Sequence, residues 1–161
     1  MPSVEPKLRD YIKRDFERLW ALDQECFLPG IAYSKAELMH YIQRQRAFTI
    51  VAEVEDEIAG FVVGEHIRQR GHVITLDVSD GFRRKGVGTK LMNAAEQRLI
   101  ERGCSAVFLE TAVNNLSAIS FYKRHDYLVL KSIPRYYEGN LDAFLMGKKL
   151  AAQAVANATE S

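Results

Sequence analysis

Cysteine is scarce in this chain, with Cys26 and Cys104 the only two in 161 residues. Two thiols make no disulfide framework and their spacing matches no metal-ligand pattern. Reduced thiols in a cytoplasmic protein are therefore expected. A dominant charge is also missing. The net charge of +1 excludes a general nucleic-acid surface. No apolar run approaches the roughly 20 residues of a membrane helix, and the opening MPSVEPKLRDY has no signal-peptide core, so no membrane partner is expected. His40, His66, His72 and His125 are scattered without ligand-spaced neighbours, so they read as structural or surface groups and no metal is expected. There is no internal repeat and no interdomain linker. What is present is 47% hydrophobic and 27% charged residues, ordinary for a globular protein. The length suits one domain, expected over residues 1–150, with an alanine-rich polar tail at 151–161 that frays.

The stretch around which the chain is organised runs from His72 to Leu99. Val73, Ile74, Leu76 and Val78 are β-formers, and Ser79-Asp80-Gly81 is loop chemistry. After Gly88, Leu91, Ala95 and Leu99 recur every fourth residue with Met92 beside them, the stripe of an amphipathic helix. Between strand and helix lies Arg83-Arg84-Lys85-Gly86-Val87-Gly88-Thr89. Backbone N–H groups at a helix start lack intrahelical partners and the helix dipole is positive there, so an anion is favoured. Gly86 and Gly88 allow close approach of a ligand, and three cations add positive potential. A phosphate site is the reading, against the plainer one of a β–α turn with a solvated basic edge. Gly88-Thr89-Lys90 has the wrong order for a Walker loop, and Leu91 stands where a dinucleotide fingerprint needs its third glycine.

The rest of the chain supplies the layers. Residues 8–12 form a short possible strand. Asp15 is placed to cap a helix through Phe16, Leu19, Leu22 and Cys26. An apolar loop at 27–33, containing Phe27, Leu28, Pro29 and Tyr33, either tucks onto the core or walls a substrate cleft. Ser34-Lys35-Ala36-Glu37 is a capping box that opens a second helix through Leu38, Tyr41 and Ile42. Residues 47–54 and 58–67 read as a hairpin across the acidic turn Glu55-Asp56-Glu57. Arg102-Gly103 stops the long helix, and 104–111 is a mostly buried strand that completes a βαβ crossover. Asn114-Asn115 starts a helix ending near His125-Asp126. Strands at 127–133 and 141–150 follow, separated by 134–140. The fold class is α/β, with a mixed, mostly antiparallel sheet of six to seven strands flanked by four helices.

Arg83-x-x-Gly86-x-Gly88, in this strand–turn–helix setting, resembles the pyrophosphate loop of the GNAT superfamily of acetyl-CoA-dependent N-acetyltransferases. The element order is similar to the GNAT fold across residues 7–150. The run Phe108-Leu109-Glu110-Thr111-Ala112-Val113-Asn114-Asn115, then Ala118-Ile119 and Phe121-Tyr122, resembles the RimI-like protein N-terminal acetyltransferases, as does Tyr136-Tyr137 followed by Asp142-Ala143 and Met146. One departure is Asp77-Val78-Ser79-Asp80-Gly81, where an apolar or Pro-containing stretch is usual.

The resemblance implies acetyl-CoA as cosubstrate. Its pyrophosphate would lie on Arg83, Arg84, Lys85, Gly86, Val87, Gly88 and Thr89, and its pantetheine along Leu76, Asp77 and Val78 like an added strand. The Val78 N–H would donate to the thioester oxygen, an oxyanion contact of about 3 kcal/mol. Asn115, Ser117 and Tyr122 would complete the cofactor contacts. Read alone, Glu110 is an edge-strand carboxylate satisfied by solvent or an arginine. The resemblance makes it the candidate general base for the acceptor ammonium, directly or through water. Tyr122, otherwise an amphipathic core aromatic, becomes the candidate acid for the departing sulfur. Asn115, Ala118 and Tyr122 at i, i+3 and i+7 share one helical face. Cys104 reads as a core thiol, so transfer is direct and without an acyl-enzyme. Phe27, Leu28, Pro29, Tyr33, Tyr136 and Tyr137 are the expected contacts for a protein or peptide N-terminus, in a monomer or homodimer. The alternatives are a small amine such as a polyamine as acceptor, or a non-catalytic CoA-binding sensor.

Overall fold

The computed structural model describes residues 5–150, and the expected tail at 151–161 lies outside them. Apolar periodicity becomes secondary structure in the expected order: β1 (Lys7–Asp10), α1 (Phe16–Cys26), α2 (Lys35–Gln43), β2 (Ala47–Val54), β3 (Glu57–Ile67), β4 (Arg70–Val78), α3 (Val87–Glu101), β5 (Ala106–Ala112), α4 (Leu116–Arg124), β6 (Leu128–Tyr137) and β7 (Leu141–Lys149). The seven strands form one sheet in the order β1-β2-β3-β4-β5-β7-β6. Its pairings are antiparallel for β1/β2, β2/β3, β5/β7 and β6/β7 and parallel for β4/β5. The described residues gather into two compact units. One holds the chain up to Glu65 with Val73–Gln97, the other His66–His72 with the chain from Arg98 onward.

In the first unit, Phe16, Leu19 and Leu22 of α1 meet Leu38 of α2 and Val51, Phe61 and Val63 of the sheet. Truncating a buried leucine here to alanine costs about 2–5 kcal/mol. The capping box is present: Ser34 Oγ accepts the Glu37 N–H at 3.1 Å, and Glu37 Oε1 accepts the Ser34 N–H at 2.9 Å. The hairpin turns on Glu55 and Asp56, both with positive φ (51° and 66°), as a two-residue primed turn requires. Leu91, Met92 and Ala95 of α3 are fully buried. At Gly60 of β3 a Cβ would lie 2.6 Å from the Asp77 carbonyl oxygen, so the chain needs glycine there for close approach.

Asp15 does not cap α1 with its side chain. Nearly buried, it takes a cation instead: its two oxygens receive Arg9 at 2.7 and 2.9 Å, and Oδ2 also accepts the Ile12 N–H at 2.9 Å. The hydrogen bonds from Arg9 hold this carboxyl below its ordinary range. Arg9 bonds Glu53 as well.

In the second unit, α3 ends as expected at Gly103 (φ 85°). The Cys104 N–H returns to Leu99 O and the Gly103 N–H to Ile100 O, which is the Schellman arrangement. β4 and β5 pair in parallel through Arg70↔Ala106, Gly71↔Val107 and His72↔Phe108, the pairing a βαβ crossover requires. β5 is mostly buried, as expected, and alternates: Val107, Leu109 and Thr111 face the interior, and Glu110 faces the other side, half-buried. The next strand differs from expectation. β6 runs on to Tyr137, through Pro134, so the tyrosine pair lies on a strand and the turn shrinks to Glu138–Asn140. Proline is tolerated because β6 is at the edge of the sheet.

Candidate active site

The first unit carries the candidate anion loop. β4 alternates strictly, with Val73, Thr75 and Asp77 buried and Ile74, Leu76 and Val78 partly open. After it, a short 3-10 turn (Asp80–Phe82) leads to the cation-rich loop, in which Arg84 and Gly86 have positive φ (61° and 84°). A Cβ at Gly86 would meet nothing within 4 Å, so glycine serves the backbone conformation there. α3 starts at Val87, one residue before Gly88, and the Lys90 N–H makes its first bond to Gly86 O at 3.0 Å. Val87, Gly88 and Thr89 thus form the first turn, where N–H groups have no intrahelical acceptor. Arg83 folds back on its own strand: its Nε–H donates to Val78 O at 3.1 Å, and Nη1 lies 3.3 Å from Asp80. The Cys26 thiol also donates to Val78 O, at 3.4 Å. Burial and the nearby Asp77 push that thiol up to about 11, so it stays protonated and non-nucleophilic at neutral pH.

The 27–33 loop divides. Leu28 is 69% exposed, while Tyr33 packs on the core and its backbone is held from both sides. The Tyr33 N–H donates to Asp23 Oδ2 at 2.8 Å, and Tyr33 O accepts Trp20 Nε1–H at 3.2 Å and Gln24 Nε2–H at 2.7 Å.

The second unit carries the candidate proton-transfer groups. Glu110 Oε1 lies 2.7 Å from His72 Nε2, with the side chains 19% and 35% exposed. His72 opposes Phe108 in the β4/β5 register, which brings it beside Glu110 two residues further along β5. Tyr137 is close to the same carboxylate: burial raises its hydroxyl above the ordinary value, and Tyr136, Glu110 and Tyr122 add to the effect. Glu110 and His72 are thus in direct contact, and Tyr137, within electrostatic reach of Glu110 and Tyr122, is a neutral donor at physiological pH. Tyr122 stacks edge-on to Phe121 and tilts against Tyr127. Asn115 is the N-cap of α4, its Oδ1 accepting the Ala118 N–H at 3.1 Å, so part of its polar capacity goes to the helix. Sequence reasoning set His72 aside with the other histidines. The signal that could have found it is the parallel register of β4 with β5, which places a β4 residue against a β5 carboxylate. Among the described residues, no group of three His, Cys, Asp or Glu side chains could hold a metal ion, and no helix is long and apolar enough to cross a membrane.

The model of the family described as acetyltransferase (GNAT) family matches residues 15–127. An uncharacterized N-acetyltransferase of Methanocaldococcus jannaschii is 29% identical over 88% of this chain and 90% of its own. N-alpha-acetyltransferase 30 of Schizosaccharomyces pombe is 32% identical over 70% of this chain and 78% of its own. Among solved structures, Ard1 from Thermoplasma volcanium superposes with a TM-score of 0.84 at 26% identity, over 91% of this chain and 99% of that one. The ribosomal-protein-S18-alanine N-acetyltransferase from Escherichia coli has the same fold, with a TM-score of 0.81 at 18% identity over 91% and 94%.

Proposed function

The chain belongs to the acetyltransferase (GNAT) family and is an acyltransferase, and from that premise we propose that it moves an acetyl group from acetyl-CoA onto the α-amine of a protein or peptide N-terminus. The acceptor assignment leans on relatives named N-alpha-acetyltransferase, at 30% identity in Sulfurisphaera tokodaii and 32% in Schizosaccharomyces pombe. Acetyl-CoA suits the glycine-bearing helix start at Gly86–Thr89 and the partly exposed Leu76 and Val78 of β4, and solved structures of the same fold contain CoA. The observation that carries the reading is the half-buried Glu110 carboxylate held at 2.7 Å by His72, with Tyr137 and Tyr122 in its electrostatic surroundings.

In this reading Glu110 takes a proton from the acceptor ammonium, leaving a free amine. The amine nitrogen bonds to the thioester carbon, and the developing oxyanion accepts the Val78 N–H. The C–S bond then breaks, Tyr122 gives its proton to the thiolate, and the second proton shed by the nitrogen as it becomes an amide restores the Tyr122 hydroxyl. His72, donating through Nε2, holds the Glu110 carboxylate in one orientation, and the Tyr137 hydroxyl in its electrostatic surroundings stays neutral. Leu28 and Tyr136, both exposed, are the acceptor contacts we favour from the 27–33 loop and from β6, with Phe27, Pro29, Tyr33 and Tyr137 behind them.

The test is thiol release from acetyl-CoA with peptides varied at their first residue and with polyamines, alongside Glu110→Gln and Tyr122→Phe. Peptide-dependent turnover that falls at least ~10-fold in both variants, ~1.4 kcal/mol of barrier, supports the reading. Turnover with polyamines alone removes the peptide acceptor, and binding of acetyl-CoA with no amine acetylated removes the enzyme chemistry.

A further inference from the structure

Asp23 of α1 and Asp77 of β4 are both fully buried. Each carboxyl has one oxygen engaged: Asp23 Oδ2 accepts the Tyr33 N–H at 2.8 Å, and Asp77 Oδ1 accepts the Thr75 hydroxyl at 2.5 Å. The other two oxygens, Asp23 Oδ1 and Asp77 Oδ2, have no partner among the described residues, yet the two side chains lie within hydrogen-bonding reach of each other. Two ionised carboxylates cannot share a buried site. We propose that one proton lies between Asp23 Oδ1 and Asp77 Oδ2, and that this acid pair is a positioning element registering the 27–33 loop against the last residues of β4.

One proton satisfies both orphan oxygens at once and leaves a single negative charge. The groups that face it are the Arg83 guanidinium, which follows β4 and is itself paired with Asp80, and the neutral Cys26 thiol of α1. From β4 the Thr75 hydroxyl faces it, and β3 passes beside Asp77 with its backbone at Gly60. Burial, and then Asp23, drive the Asp77 carboxyl well above its ordinary value, the direction a shared proton requires. The connection runs from β4 through the shared proton to Asp23, then to the Tyr33 N–H that closes the loop. The effect on acceptor use rests on the function proposed above, whereas the shared proton does not.

Three measurements on the full chain separate these. Carboxyl 13C shifts of the wild type, followed by NMR from acid to neutral pH, should show one of the two carboxyls still protonated when the exposed carboxylates have ionised. Ordinary titration of both would overturn the pair. In Asp23→Ala the Tyr33 amide should exchange with solvent ~10-fold faster while α3 amides keep their rates. Asp23→Asn, whose amide can donate to Asp77 and still accept from Tyr33, should restore protection to within ~2-fold. Equal exchange in all three proteins removes the positioning role, and the Asn variant keeps the test alive if the Ala variant does not fold. With peptide acceptor, Asp23→Ala should raise the peptide KM ~5-fold and leave that for acetyl-CoA within ~2-fold. Parallel rises in both overturn a loop-specific effect. A wild type that accepts no peptide sinks only the acceptor reading, since the NMR and exchange results stand without turnover.

Discussion

Two acidic sites in this protein have opposite construction. Glu110 stands on a partly open face with a histidine at 2.7 Å, where an incoming group can reach it. Asp77 is sealed from solvent beside a second carboxyl, where no incoming group can reach the proton it shares. The side-chain chemistry is the same, and the neighbours decide whether a carboxyl performs a reaction or fixes a backbone. The first arrangement sacrifices little stability for reactivity. The second is unreactive and holds structure.

That contrast can be broken from either side. The largest expected effect is on Glu110: Glu110→Gln should lower kcat about 100-fold, ~2.7 kcal/mol, while stability in denaturant stays within about 0.5 kcal/mol. Loss of stability equal to the loss of rate would make Glu110 a structural group. Next, Asp23→Ala should cost about 2 kcal/mol in urea unfolding, because it strands a buried oxygen and the Tyr33 N–H; an unchanged midpoint would end the contrast from the other side. Tyr122→Phe follows, with a loss of ~10-fold or more in kcat, ~1.4 kcal/mol; an unchanged kcat would remove it as the acid. Ser34→Ala, which removes the cap of α2, should cost about 1 kcal/mol and leave kcat alone.

The finest prediction concerns pH. Asp15 has a lowered value because of Arg9. Its contribution is complete above the ordinary carboxylate range and is lost as pH falls through the folded value. Asp77 has a raised value, so the folded state holds a proton the unfolded chain has released. Stability therefore declines as pH rises from the ordinary carboxylate range through the folded value. Thermal unfolding against pH should show the acid-side slope diminished in Asp15→Asn and the slope on the other side diminished in Asp23→Asn. Slopes unchanged by either substitution would remove both assignments.

Much of the fold was readable because its determinants are local. The four-residue recurrence of Leu91, Ala95 and Leu99, the Ser34–Glu37 box and Gly103 each specify geometry within a few residues, and each appears where expected. Asp15 defeated the same reasoning because its choice was between a cap and Arg9, and Arg9 reaches it only once β1 has formed. Pro134 read as a break, and its tolerance depended on β6 being an edge strand, which is a property of the whole sheet. The site divides along the same line. The loop from Arg83 to Thr89 is contiguous and could be read directly. His72 and Glu110 are 38 residues apart and meet only through parallel strand register. Asp77 stood out only as a departure from an apolar stretch, and Asp23 not at all, since nothing within a few residues of either tells that the two carboxyls meet.

Gly60 has no side chain, carries no charge and makes no chemistry, yet a methyl group there would strike the Asp77 carbonyl at 2.6 Å and the Leu91 side chain at 3.2 Å. In a library of every single substitution, position 60 will therefore fail like a site residue. A screen that ranks positions by lost activity will return it among the reactive groups, and only a second screen for abundance of folded protein will tell an empty position that keeps two strands close from a full one that moves protons.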